Sequence, residues 1–128
     1  MNIGVIALAR STFDIDFAKE KLSQCVDFLH STEHKIFGKC ELLLDEPNLM
    51  KEIEKLKETP LEFILILQAT FTDAQITSKI STSFNLPLGI WAFPEPRLGG
   101  RLRLNAFCGL NLASHCLAQK NRKFSWIY

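Results

Sequence analysis

The run F-I-L-I-L at residues 63–67 has five apolar residues and no alternation with polar ones. A strand with one wet face alternates. An unbroken run of this length reads as a strand covered on both faces, as in a parallel sheet. Pro60 stands before it. After it comes Thr72-x-x-Gln75, the spacing of a capping box, which predicts a helix start. The stretch therefore predicts a central strand passing into a helix.

Working outward, the same alternation recurs. Ile3–Ala9 is a short apolar run, read as a buried strand. From Asp14 to about Ser31, Ala18, Leu22, Cys25, Val26 and Leu29 recur at helical spacing, with Asp14 and Asp16 suited to the helix start. His34–Leu44 reads as a second strand, interrupted near Gly38. Asp45-Glu46-Pro47 opens a second helix whose apolar face is Leu49, Ile53 and Leu56. Ile76, Ile80 and Phe84 stripe the third helix. Leu86–Phe93 is the fourth strand, Ala106 to about Gln119 the fourth helix, and Phe124–Tyr128 a fifth strand. In the fourth helix Gly109, Leu110, Ala113 and Leu117 face inward, with Gly109 allowing close packing on the sheet. The order βαβαβαβαβ predicts one α/β domain over residues 1–128. It is a flavodoxin-like or Rossmann-like three-layer sandwich around a five-stranded parallel sheet of order 2-1-3-4-5. The last strand has no covering helix, which leaves an apolar edge and predicts either further chain or a partner subunit.

Composition narrows the function. The chain has 128 residues, 47% hydrophobic and 23% charged, enough for one core. No apolar run approaches the ~20 residues of a membrane span, and the N-terminus lacks the pattern of a signal peptide, so a cytoplasmic protein with no membrane partner is expected. Cys25, Cys40, Cys108 and Cys116 form no C-x-x-C pair and have no histidine at a zinc-ligand spacing; reduced, mostly buried thiols are expected. Charge is uneven. Residues 1–95 carry nine Lys/Arg against fourteen Asp/Glu; residues 96–128 carry six Lys/Arg and no acid. That basic end suits an anionic ligand or a contact between subunits. It is too sparse, and too poor in interleaved aromatics, for nucleic acid.

Ligands of open α/β sheets bind beyond the carboxyl ends of the strands. Those ends are Arg10-Ser11-Thr12, Gln68-Ala69-Thr70 and Phe93–Asn105. A response regulator needs acids in the first two places, where this chain has Arg10, Gln68 and Thr70. Cys108 lacks the arginine-terminated loop of a cysteine phosphatase. A dinucleotide fingerprint and a P-loop are absent. Flavin phosphate at Arg10-Ser11-Thr12 stays open beside the plainer reading of helix-capping hydroxyls. His30, His34 and His115 have no carboxylate at a fitting spacing. Glu95 lies among Arg97, Arg101 and Arg103, where an ion pair shaping the loop is expected in preference to acid–base catalysis.

The segment from Leu86 to Tyr128 resembles the N-terminal domain of the L-fucose/L-arabinose isomerase superfamily, in its fucose isomerase-like branch. Trp91, Pro94-Glu95-Pro96, Arg103-Leu104-Asn105 and Cys108-Gly109 carry the likeness. The resemblance implies one domain of a three-domain, oligomeric aldose–ketose isomerase working through an enediol. It implies a divalent metal, usually Mn2+, held by Glu, Asp and His of later domains, so no metal ligand or catalytic residue is assigned here and the domain needs no cofactor of its own. It further implies that this domain serves assembly of a homo-oligomer and encloses a sugar at a subunit interface, with Trp91 stacking on a sugar face and Arg10 reaching a hydroxyl. The substrate-facing candidates are Arg10, Trp91, Glu95, Arg97, Arg101, Arg103 and Asn105. The rival reading is a free-standing flavodoxin-like module holding an anionic small molecule with Arg97, Arg101 and Arg103.

Overall fold

A computed structural model describes residues 1–128. The elements in chain order are β1 (Asn2–Leu8), α1 (Ile15–His30), β2 (Lys35–Phe37), β3 (Leu42–Leu43), α2 (Glu46–Lys57), β4 (Phe63–Gln68), α3 (Ala74–Ser83), β5 (Leu88–Ala92), α4 (Ala106–Gln119) and β6 (Ser125–Ile127). Every pairing is parallel, in the order β2-β1-β4-β5-β6, and β3 also pairs with β1. The F-I-L-I-L run is the middle strand.

The sheet has six strands, not five, because the expected second strand is two pieces. Gly38 adopts φ +118°, and a Cβ there would sit 2.4 Å from the Val5 carbonyl oxygen. Cys40 is also left-handed, at φ 53°. The buried carboxylate of Glu52, on α2, accepts the Lys39 N–H at 2.8 Å and fixes this excursion. Pairing with β1 is broken between Phe37 and Leu42 and then resumes. Taken as one interrupted edge strand, β2 and β3 restore the expected winding.

Two helix starts follow local chemistry. Asp14 accepts the Phe17 N–H at 3.0 Å, and Asp45 accepts the Asn48 N–H at 2.9 Å, each satisfying a donor that has no partner inside its helix. The third start does not follow the capping-box expectation. Asp73 takes the cap position with no side-chain cap bond, while Thr72 is buried and its hydroxyl accepts from Gln68 Nε2 at 2.8 Å. A buried amide left without a partner costs more than a lost cap, so Thr72 serves Gln68. Gln68 Nε2 also donates to the Thr70 carbonyl at 2.6 Å.

The two faces of the sheet are unequally covered: the central strand is packed on both, more tightly on one. Ile64, Ile66, Gln68, Leu88, Ile90 and Ala92 share one face and are all buried, under α2, α3 and α4. On the other face lie Phe63, Leu65, Trp91 and Ile127. The first three are half-buried and Ile127 is exposed, while Leu67 on the same face is fully buried; only α1 covers that side, and its cover thins toward β6. Close packing of α4 depends on Gly109, as expected: a Cβ there would meet Gln68 Nε2 at 3.0 Å and Phe71 Cα at 3.1 Å.

Candidate functional site

The connections after β1, β4 and β5 meet at the carboxyl edge of the sheet, and backbone bonds tie them together. Phe71 N–H donates to the Leu104 carbonyl at 2.9 Å, and Asp14 N–H donates to the Arg103 carbonyl at 3.0 Å. The loop following β5 is built around Glu95. Its Oε2 accepts the Arg103 N–H at 3.0 Å; its Oε1 accepts the N–H groups of Leu104, at 2.7 Å, and Asn105, at 2.5 Å. The expected ion pair with an arginine is therefore replaced by a nest of three main-chain donors. With both carboxylate oxygens held this way, Glu95 shapes the loop and leaves its neighbouring guanidinium groups to other partners.

Arg103 turns away from Glu95 to Asp14. Its Nε and Nη2 both lie 2.9 Å from Asp14 Oδ2, and its guanidinium stacks 3.9 Å from the centre of the Phe17 ring. The Phe17 N–H, and after it the Arg103 guanidinium, hold the Asp14 carboxyl below the usual carboxylate range. Arg10 pairs with Asp73 at 2.7 Å and lies 5.7 Å from the centre of the Phe71 ring. Arg97 and Arg101 are exposed and form no ion pair. Arg101 and Arg103 line, with Thr12 and Asp14, an open cleft of about 270 Å³. Asn105 sits at φ 52°, ψ 29°, a left-handed position that asparagine tolerates better than most residues. With Glu95, Phe107, Cys108 and Tyr128 it lines a second hollow of about 320 Å³.

Trp91 belongs elsewhere. It stands on the α1 face of the sheet, edge-on to Phe28 with ring centres 5.9 Å apart and planes at 89°. Six of the seven candidates thus gather at the carboxyl edge or on the loop leaving it, and Trp91 does not join them. The sequence reading missed Asp14 and Asp73 as arginine partners. Their positions at two helix starts beside the loops were the available signal. It also missed Arg122, whose guanidinium donates to the carbonyls of Phe84, at 3.2 Å, and Leu86.

Chemically, the edge offers cations, hydroxyls and main-chain amides. No three His, Cys, Asp or Glu side chains gather to hold a metal ion, so the residues present do not fit Mn2+ and no step through it falls to this chain. All four cysteines are free thiols. Only Cys25 is fully buried, fewer than expected, and burial pushes its thiol up to about 11. No helix is long and apolar enough to cross a membrane.

Fold and edge together define a doubly wound, Rossmann-like α/β domain with a cationic loop where such sheets bind ligands. The chain belongs to the fucose/sulfoquinovose isomerase N-terminal domain family, whose model matches residues 4–128. It is 26% identical over 123 residues to the sulfoquinovose isomerase of Priestia aryabhattai, covering 96% of this chain and 28% of that protein. The sulfoquinovose isomerase of Alkalicoccus urumqiensis is 27% identical over 123 residues, 96% of this chain and 27% of that protein. That of Clostridium sp. (strain MSTE9) is 26% identical over 128 residues, 98% of this chain and 28% of that protein. The chain thus spans little more than a quarter of the curated relatives it matches.

Proposed function

We propose that this chain is the N-terminal domain of a sugar aldose–ketose isomerase. It helps to assemble a homo-oligomer and to enclose the substrate, and it is not catalytic alone. The observation that carries this reading is the loop held by Glu95, which presents Arg101 and Arg103 at the carboxyl edge, where the neighbouring acids Asp14 and Asp73 are engaged by Arg103 and Arg10 and no metal-binding set gathers. Such an edge binds and orients; it has nothing with which to move the proton between the two carbons of an enediol. Sulfoquinovose, the sugar in the names of the relatives, carries a sulfo group, and unpaired guanidinium groups suit that anion. We assign Arg101 the role of meeting it, supported by the side chain's position in the cleft with Thr12 and its lack of an internal acid.

The test compares two proteins supplied with Mn2+: the 128-residue chain and the full product of its gene. Sulfoquinovose isomerisation by the full product and none by the short chain is the expected result. Turnover by the short chain would sink the claim that it is silent. Inactivity of the full product on sulfoquinovose, fucose and arabinose alike would sink the isomerase reading. Arg97 and Arg101, both without acid partners, keep the anion-binding module as a second reading. A strong rise in the melting temperature of the short chain with one anionic metabolite, and none with sugars, would favour it.

A further inference from the structure

The α1 face of the sheet carries an open trough of about 590 Å³. Its floor is Trp91, Phe93 and Ile127; its wall is Cys25 and Phe28 of α1, with Lys21 on the rim. Phe28 is 58% exposed and Ile127 57%. These are large apolar side chains on one continuous surface. On the other face β5 is buried at Leu88, Ile90 and Ala92, while Trp126 of β6 stays exposed there.

We infer that this trough is the seat of one amphipathic helix that follows β6 in the longer polypeptide. This rests on the reading of the chain as the first domain of a longer isomerase. The width fits one helix. Strands lie about 4.8 Å apart and packed helices about 10 Å apart, so each helix covers roughly two strands. The face under α2, α3 and α4 is covered at that density as far as β5, and only Trp126 at the β6 edge is left open. On the opposite face α1 covers the β1 side, and the uncovered remainder is the pair β5 and β6.

The shape argues against a second copy of this chain. In a two-fold contact the same patch meets itself, and a trough set against a trough stays unfilled. The tether argues for the same polypeptide. Ile127 lines the trough and Tyr128 follows it directly, so a helix entering a few residues later reaches its seat at high effective concentration. The relatives supply the length, since each matched stretch is only 27–28% of the protein that contains it. The rim also sets a polarity: a helix with an acidic or polar side chain toward Lys21 and apolar ones toward Phe28, Trp91 and Ile127.

Hydrogen exchange read by mass spectrometry tests this on the 128-residue chain and on the full gene product. Exchange in residues 21–28 and 125–127 is expected to be roughly tenfold or more slower in the full product, at a rate independent of protein concentration. Phe28→Asp and Ile127→Asp are expected to abolish that slowing while leaving the short chain folded, since both side chains are already mostly in water. Equal exchange in the two proteins, slowing that grows with concentration, or a reading frame ending at Tyr128 each overturns the inference. Isomerase activity separates the two claims. An active full product with an unprotected trough defeats the docking alone; a protected trough in a product without isomerase activity defeats the functional reading alone.

Discussion

Glu95 uses both carboxylate oxygens on its own main chain, and that choice frees the arginines around it. Three N–H donors converge on one side chain, so removing it leaves them partly unsatisfied at the start of α4. Glu95→Ala is expected to lower stability by about 1–3 kcal/mol, read from urea midpoints, with Glu95→Gln recovering part of it. The sequence shows Glu95 among basic residues and suggests a guanidinium partner; it does not show that the loop turns its amides inward, because that depends on the left-handed Asn105 several residues on. Asp14 gives the pH dependence. Its pKa is lowered in the folded protein, first by the Phe17 N–H and then by Arg103. The unfolded chain therefore binds the proton more readily. The stabilisation is present above the unfolded value, about 3.9, and is lost as pH falls through the folded one. Asp45, held down chiefly by the Asn48 N–H, adds in the same direction. Urea unfolding followed from about pH 5 to 2.5 is expected to show this loss, and Asp14→Asn is expected to flatten it. An unchanged slope in that variant would remove Asp14 from the account.

At the scale of elements, helices with clear caps were legible and the edge strand was only half so. Asp14, Asp45-Glu46-Pro47 and the apolar stripes placed α1, α2 and α4 closely because those signals are local. The break in the second strand was visible as Gly38, but its cause lies fourteen residues later in the buried carboxylate of Glu52, which no local pattern exposes. The false capping box has a nearer cause, a buried Gln68 only four residues before Thr72, whose burial depends on the packed sheet. Two glycines test these long-range constraints. Gly38→Ala must place a Cβ against the Val5 carbonyl at a left-handed φ and is expected to cost about 1–3 kcal/mol. Gly109→Ala presses on Gln68 and on the Phe71 backbone, with a similar expected cost of about 1–3 kcal/mol from overpacking. Thermal unfolding of both variants checks the pair; neutrality of Gly109→Ala would mean that Gln68 yields without loss.

Over the whole molecule, the basic character of residues 96–128 divides into two kinds of charge. Arg103 is neutralised by Asp14, whereas Arg122 keeps its charge but is tied down by the carbonyls of Phe84 and Leu86. Arg97, Arg101, Lys120 and Lys123 remain, exposed and without acid partners, and of these Arg97 and Arg101 lie on the loop that Glu95 holds at the carboxyl edge. The asymmetry was plain in the sequence, but its division was not, because pairing across 89 residues is a property of the fold. The two sets predict different phenotypes. Arg103→Ala removes a stacked guanidinium whose two nitrogens share one Asp14 oxygen and is expected to loosen α1 and the loop together, by about 1 kcal/mol. The double variant Arg97→Ala/Arg101→Ala removes no internal contact and is expected to leave stability within about 0.5 kcal/mol. In the full gene product the same double variant is expected to raise KM for an anionic sugar roughly three- to tenfold at low salt. The effect should shrink toward nothing near 1 M salt, where charges are screened within about 3 Å. A KM change that persists undiminished at high salt would mean that these arginines act through packing and not through charge.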